Sequence, residues 1–334
     1  MLHHRLTERG SRKAGGKVLR SPFLSQLEDA QSILIAGAGG GFDVFGGLPL
    51  YFSLRSHKKQ VHLASLSFTA LSDVIGRRPN DHLVEVTADS EGPGWYFPER
   101  YLCEWFRESA GDEVVVHCLE RTGVNPLIAS YEYLVKKLSL DTVVLVDGGT
   151  DSLMRGDEDG LGTPMEDIAS IAAVSKLAVP RRFMACLGFG VDHFHGVSND
   201  LSLEAISELT LKGGFLGAVS LLQSMPEAEK FREAATYVFS RMPSSISVVV
   251  SSILSSLSGF YGDHHATDRT KGSRLWINPL MSMYWCFDLT AVAERIIYLD
   301  SLMATETRQD VWEAILRFET VVRAHVRTRR PIPS

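Results

Sequence analysis

The stretch SILIAGAGGGFDVFGGLP, residues 32–49, carries the strongest indication of the fold. Its apolar start, SILIA, predicts a buried strand, and a glycine-rich loop follows directly. Glycine lets the backbone turn tightly and leaves no Cβ between its N–H group and a ligand. A helix predicted for residues 48–56 comes next, and the N-terminal end of a helix attracts anions. We therefore expect a small anionic metabolite to bind the backbone of Gly39, Gly40 and Gly41.

The glycine loop resembles two known phosphate-binding motifs but matches neither of them. The dinucleotide fingerprint GxGxxG, started at Gly37, requires a glycine where Phe42 stands. A Walker A loop, started at Gly41, requires lysine after Gly46, where the chain has a further glycine. These mismatches argue against NAD(P) and against a P-loop, while a tight turn without a ligand remains an alternative. Asp43 in this loop is expected to hold a substrate hydroxyl or a metal ion.

The composition fits a folded protein and argues against several functional classes. With 334 residues, 45% hydrophobic and 22% charged, the chain has enough apolar material for one large domain or two smaller ones. A net charge of -6 argues against nucleic acid as a partner. The four cysteines form no CxxC pair, which disfavours a zinc ribbon and fits a reducing compartment.

The same composition sets the expected domain organisation. No apolar run reaches the roughly 18 to 20 residues of a membrane span, so we expect no membrane partner and a cytoplasmic location. Residues 1–22 are expected to form a flexible basic tail, residues 23–328 a single α/β domain, and residues 329–334 a second tail. Assembly into a homo-oligomer remains open.

Predicted strands alternate with predicted helices along almost the whole chain. This alternation predicts an α/β protein with a Rossmann-like, doubly wound, mostly parallel sheet and helices on both faces. Residues 76–80 are interpreted as a loop, residues 244–258 as either helix or strand, and residues 260–288 as an irregular polar lid or pocket wall. The predicted strands are residues 32–36, 60–65, 83–87, 113–119, 142–146, 183–188, 215–222 and 294–299, and the predicted helices are residues 22–30, 48–56, 98–109, 125–138, 163–177, 201–211, 226–241 and 306–325.

In such a sheet, ligands bind outside the carboxyl ends of the strands. Glu120 follows one predicted strand and is a candidate ligand-binding residue for that reason. Another strand ends in DGGTDSLMRGDEDGLGTP, residues 147–164, which is rich in acids. Carboxylates are the ligands that Mg²⁺ and similar divalent cations prefer, so this loop predicts a metal site. The candidate metal ligands are Asp147, Asp151, Asp157 and Glu158, with Asp147 and Asp151 also as candidate catalytic residues and Arg155 as a candidate ligand-binding residue. A solvated acidic loop with Arg155 as its counterion is the alternative.

The loop GFGVDHFHGVSN, residues 188–199, follows another predicted strand. Histidine titrates near neutral pH, so His193 and His195 are candidate general acids or bases, and Asp192 could orient one ring or bind the ligand. Two surface histidines in a turn are the alternative interpretation.

The segment from residue 262 to residue 285 mixes basic, hydroxyl and aromatic side chains. Arginine binds phosphate or carboxylate through paired N–H groups, which makes Arg269 a candidate anion ligand. Thr270, Ser273 and Asn278 are candidates beside it. The aromatic residues that follow could form a pocket wall for a base or sugar, or belong to the core.

Three segments of this chain are similar to a family catalogued as domain of unknown function 1152. They are IAGAGGGFDVFGGLPL, VDGGTDSLMRGDEDGLGTPMEDIASIAA and LGFGVDHFHGVSNDLSLEAISELTLKGGFLGA. The resemblance implies that one shared framework contains Asp43, Asp147, Asp151, Asp157, Glu158 and Asp192, and it implies no particular reaction.

These observations lead to one main hypothesis and two alternatives. The main hypothesis is an enzyme that binds a phosphorylated sugar or nucleotide-like metabolite and performs metal-assisted hydrolysis or group transfer. A metabolite sensor without catalysis is the second, because the same loops could bind a ligand without converting it. An NAD(P)-dependent oxidoreductase is the third, and the mismatched glycine fingerprint weakens it.

Overall fold

Nine strands form one central sheet in the computed structural model, which describes residues 19–322. The sheet order is β3-β4-β5-β2-β1-β6-β7-β9-β8. The strands are β1 (Ser32–Gly37), β2 (Gln60–Leu66), β3 (Arg77–Asn80), β4 (Leu83–Val86), β5 (Val116–Leu119), β6 (Thr142–Asp147), β7 (Arg181–Leu187), β8 (Phe215–Ser220) and β9 (Met283–Asp288). The expectations for residues 1–18 and 323–334, including most of the basic tail, lie outside the described residues.

The centre of the sheet is parallel and its two sides are mixed. Strands β5, β2, β1, β6 and β7 run parallel, while β4 and β9 are antiparallel to their neighbours. Along the chain, β2 pairs with one edge of β1, and β6, which comes later, pairs with the other edge of β1. The topological switch point, where ligands bind in sheets of this type, therefore lies between β1 and β6. The predicted Rossmann-like, doubly wound α/β fold is confirmed.

Helices cover both faces of the sheet, because alternate residues of each strand point to opposite sides. Ile33 and Ile35 of β1 belong to one hydrophobic core, and Leu34 and Ala36 belong to the other. The helices are α1 (Pro22–Glu28), α2 (Asp43–Gly46), α3 (Leu48–Ser56), α4 (Pro98–Trp105), α5 (Val124–Leu138), α6 (Pro164–Ser175), α7 (Asn199–Leu211), α8 (Pro226–Arg241), α9 (Val248–Leu257), α10 (Leu289–Ala293), α11 (Leu299–Leu302) and α12 (Arg308–Val322). Within residues 19–322, no helix has the length and apolar character needed to cross a membrane.

Three sequence interpretations are wrong. Residues 77–80, interpreted as part of a loop, form the edge strand β3, which pairs with β4. The segment 260–288 is not irregular to its end, because its aromatic run forms β9 between β7 and β8. Residues 294–299, predicted as a strand, form turns and the start of α11. Here the buried Arg295 donates hydrogen bonds to Glu208 and to the Leu153 carbonyl instead of facing a partner strand.

Candidate functional site

The glycine loop after β1 leads to Asp43, the first residue of α2, and wraps around the carboxylate of this residue. The N–H groups of Gly39 and Gly40 donate to Asp43 Oδ2 over 2.9 and 2.6 Å. Asp43 is 7% exposed and lies at the switch point beside the end of β6. Of the three amides expected to bind an external anion, those of Gly39 and Gly40 thus bind the carboxylate of Asp43.

Two further carboxylates meet Asp43. Asp147 is the last residue of β6, and its Oδ2 accepts a hydrogen bond of 2.5 Å from the Ser152 hydroxyl. Asp167 lies in the first turns of α6. Each of these three aspartates offers one carboxylate oxygen, and the three oxygens lie within 4.8 Å of one another. We call Asp43, Asp147 and Asp167 the acidic triad.

Asp167 was not among the candidate residues from the sequence, because it lies inside a helix instead of after a strand. It is 4% exposed, and its Oδ1 is buried without a hydrogen-bond partner among the described residues. A signal was available in the sequence. Asp167 lies in helical register with the buried Ile171 and Val174, so the apolar stripe of α6 places an acid against the sheet.

Glycines let these carboxylates approach the backbone closely. A Cβ built on Gly39 would lie 2.0 Å from Asp167 Oδ1, and one on Gly148 would lie 2.7 Å from Asp43 Oδ1. Real Cβ atoms do not approach other heavy atoms this closely, so a larger residue at either position would displace the acid. The glycine-rich sequences on both sides of the switch point are therefore needed for the acids to meet.

Two other buried aspartates hold the loops around the triad. Asp192 Oδ2 accepts from the N–H groups of Thr150 and Asp151 over 2.6 and 3.2 Å. Asp151 Oδ2 accepts from the Thr163 N–H and hydroxyl over 2.9 and 3.1 Å. A Cβ on Gly149 would lie 2.4 Å from Asp192 Oδ2. Asp151 and Asp192 thus fix the backbone that connects β6 to α6.

The buried acids are difficult to ionise together. Burial raises the pKa of Asp43 to about 7, although the N–H groups of Gly40 and Gly39 oppose this rise. Burial, followed by repulsion from Asp151, holds the pKa values of Asp147 and Asp167 well above the usual range for aspartate. Burial also raises the pKa of Asp192 well above that range. The cluster therefore either keeps protons or requires a nearby positive charge.

A cavity of about 430 Å³ opens beside the triad. Gly40, Gly41, Asp43 and Asp192 line its acidic part. Its lining also includes His195, from the short helical turn after β7, and Arg269. The Arg269 side chain is positioned by a 2.8 Å hydrogen bond from its Nη1 to the Ile246 carbonyl. Carboxyl, guanidinium and imidazole side chains thus share one cavity.

Several candidates lie elsewhere. His193 lines a separate cavity of about 260 Å³ with Asp263 and Trp276. The Glu120 carboxylate accepts a hydrogen bond from His82 Nδ1 over 2.9 Å, and both side chains are partly exposed to solvent. His195, two residues after His193, is therefore the histidine that the structure places near the triad.

The remaining candidates hold their own loops together. Arg155 forms an ion pair with Asp157 at 2.7 Å, and the Glu158 carboxylate accepts from the Arg155 and Gly156 N–H groups. The Ser273 hydroxyl donates to the carbonyl of Thr270, whose own hydroxyl donates to the Thr267 carbonyl. The Asn278 amide donates to the Phe189 carbonyl, and its oxygen accepts from the Leu280 N–H. Each of these candidates therefore has a partner within the chain, namely Arg155, Asp157, Glu158, Thr270, Ser273 and Asn278.

Residues 34–322 match the family described as "Protein of unknown function (DUF1152)", and the chain belongs to this family. The resemblance indicated by the three sequence segments is thereby confirmed. No curated protein and no solved structure matches the chain. The function must therefore be argued from the chemistry of the site.

Proposed function

We propose that this member of the DUF1152 family is a phosphohydrolase that depends on a divalent cation held by the acidic triad. The observation that carries the proposal is the convergence of Asp43, Asp147 and Asp167, whose carboxylate oxygens lie within 4.8 Å of one another. Carboxylates are the ligands that Mg²⁺ prefers in proteins, so Mg²⁺ is the first candidate.

The cost of burying the triad supports a bound cation. Each of its three carboxylates is less than one-tenth exposed, and Asp167 Oδ1 has no hydrogen-bond partner within the described chain. A buried carboxylate without compensation is costly, and a cation would offset this cost for all three at once. A cation held by Asp43, Asp147 and Asp167 would polarise a phosphoryl oxygen of the substrate.

The position and size of the cavity support a single organic substrate. The cavity lies at the switch point of the sheet, where ligands bind in folds of this class. Its volume of about 430 Å³ is typical of a site for one small metabolite. Hydrolysis of a phosphate monoester requires only that metabolite and water, whereas group transfer also requires room for an acceptor.

The residues of the cavity fit the charges of this reaction. A water oxygen forms a bond to phosphorus, the ester P–O bond breaks, water loses a proton, and the leaving oxygen gains one. The products are an alcohol and inorganic phosphate. His195 lines the cavity and can move the proton, while the Arg269 guanidinium can bind the phosphate oxygens.

In this proposal the glycine loop does not bind the anion, which is the role expected from the sequence. The N–H groups of Gly39 and Gly40 fix Asp43 Oδ2, and thereby set the orientation of this carboxylate toward Asp147 and Asp167. In this proposal the loop positions a metal ligand, and Arg269 takes over the binding of the anion.

Release of phosphate by the full chain tests the proposal. Nucleoside monophosphates and sugar phosphates are offered with Mg²⁺, with Mn²⁺ or with EDTA. We expect release only with a cation, and a loss of about 100-fold in kcat/KM for Asp147→Asn. Asp81→Asn, which changes an exposed aspartate between β3 and β4, should match the wild type. Binding of these compounds without any release would contradict the proposal and favour the metabolite sensor.

A further inference from the structure

Aromatic side chains from several segments line the cavity beside the acidic triad. They are Phe42, Phe68, Trp95, Tyr96 and Phe194. Two of them are unusually exposed for large apolar side chains, since Trp95 is 71% exposed and Phe194 is 37% exposed. Neither the cation nor the phosphate of the proposed reaction uses such surfaces. A ligand that covered them would remove apolar area from water.

The two exposed rings approach the cavity from opposite sides of the sheet centre. Trp95 lies just before α4, and this helix is anchored at the end of β2 because the buried Glu99 accepts hydrogen bonds from Ser65 and Thr69 over 3.0 and 3.1 Å. Phe194 lies in the helical turn after β7. Since β2 and β7 lie on opposite sides of β1 and β6, the rings come from opposite sides of the switch point.

The wall that carries Trp95 is held by packing. The Trp95 and Tyr96 rings are 6.0 Å apart, and the Tyr96 ring meets Phe42 at 6.2 Å with an angle of 77° between their planes. The Tyr96 hydroxyl approaches the backbone at Gly41, where a Cβ would lie 2.2 Å away. Tyr96 is therefore fixed against the glycine loop, and Trp95 lies on its outer side.

We infer that the substrate is a nucleotide whose base stacks on Trp95. This inference deepens the proposed function and rests on the same cavity. A nucleobase offers a flat π-face, and stacking on an aromatic side chain binds bases with little dependence on their identity. A sugar phosphate has no π-face and offers only C–H groups to an aromatic ring, so stacking on Trp95 would bind it less strongly than a nucleotide. The cavity thus combines partners for base and phosphate, with Arg269 and the triad serving the phosphate.

Calorimetric titration of the full chain with adenosine and with ribose tests the inference, because both compounds lack the phosphate. Both titrations are run with EDTA and again with Mg²⁺. We expect adenosine to bind at least about tenfold more tightly than ribose, and Trp95→Ala to remove about tenfold of the adenosine affinity. Trp312→Ala is the matched control, since Trp312 is an exposed tryptophan on α12 that does not line the cavity.

Three results would overturn the inference: no adenosine binding up to about 10 mM, equal affinity for ribose, or equal affinity of the wild type and Trp95→Ala. The outcome is independent of the reaction. Adenosine binding that Trp95→Ala weakens, in a chain that releases no phosphate, would retain the base site and reject the phosphohydrolase. Cation-dependent phosphate release from sugar phosphates, without adenosine binding, would do the reverse.

Discussion

The Cα of Gly39 lies against the carboxylate of Asp167, so closely that a Cβ on Gly39 would lie 2.0 Å from Asp167 Oδ1. The two residues come from the loop after β1 and from α6, which lie on different sides of β6 along the chain. This contact places Asp167, which lies in a helix, beside Asp43 and Asp147 at the ends of the strands. The acidic triad therefore depends on a glycine at this position as much as on its carboxylates.

Gly39→Ala should disrupt the triad. The new methyl group must displace the Asp167 carboxylate, and we expect a loss of about 1–3 kcal/mol in the free energy of unfolding together with a weaker response to Mg²⁺. Chemical denaturation with and without Mg²⁺ measures both effects. Gly94→Ala is the control, because a Cβ at Gly94 meets nothing within 4 Å. Equal behaviour of the two variants would show that the contact at Gly39 is unimportant.

Asp147→Asn should stabilise the protein when no cation is present. Burial and repulsion from Asp151 oppose ionisation of Asp147 in the folded chain, whereas the unfolded chain ionises this side chain at pH 8. Asn carries no such cost, and its oxygen can still accept from Ser152. We expect a gain of about 1–2 kcal/mol in EDTA at pH 8, and no further gain on adding Mg²⁺. Denaturation of the wild type and the variant in both buffers measures this. A variant less stable than the wild type in EDTA would contradict the repulsion between these acids.

The buried His117 predicts that the stability of the protein depends on pH. Burial lowers the pKa of His117 to about 4, although attraction to Glu85 opposes this. Since the pKa of histidine in the unfolded chain is about 6.5, the folded chain binds fewer protons between these values. The stability that His117 provides is therefore full above pH 6.5 and is lost as the pH falls toward 4. Between pH 7 and pH 5 we expect a loss of about 2 kcal/mol from this group.

The contribution of His117 is measured as a difference, because the buried aspartates also titrate. Denaturation of the wild type and His117→Leu at pH 7 and pH 5 should show a smaller loss on acidification in the variant. His57→Gln changes an exposed histidine and should retain the wild-type loss. A wild-type pH dependence in His117→Leu would mean that His117 does not titrate in this way.

Arg269→Gln should weaken the binding of the substrate phosphate more than it slows the reaction. A guanidinium that contacts the phosphate in the ground state lowers KM, so we expect KM to rise about tenfold with little change in kcat. Initial rates of phosphate release measure both constants. Arg274→Gln changes an arginine that lines the other cavity and should leave them unchanged. A fall in kcat alone would instead assign Arg269 to the transition state.

The sequence was sufficient to locate the strand-end acids and insufficient to find their helix partner. The apolar run that became β1 leads into the glycine-rich loop that ends at Asp43, and the apolar run that became β6 ends in Asp147. The rule for strand ends therefore placed both acids correctly at one edge of the sheet. Asp167 lies in the apolar helix α6. Helix propensity and the spacing of apolar residues predict this helix, but they do not predict which residues contact its buried face. Its role depends on how α6 packs on the sheet.

Local patterns also failed where tertiary contacts decide the structure. Residues 294–299 have the apolar pattern of a strand. They do not form one, and the buried Arg295 donates hydrogen bonds to Glu208 and to the Leu153 carbonyl. The sequence pattern does not distinguish His193 from His195. In the structure both lie in the helical turn after β7, and each lines a different cavity. Neither outcome follows from the residues near it in the chain.

Binding of Mn²⁺, followed through the loss of the electron paramagnetic resonance signal of the free ion, tests the acidic triad most directly. We predict that the wild type binds Mn²⁺, that Mg²⁺ competes for the site, and that Asp167→Asn removes the binding while Asp81→Asn retains it. No Mn²⁺ binding by the wild type, or unchanged binding by Asp167→Asn, would contradict the proposed cation site.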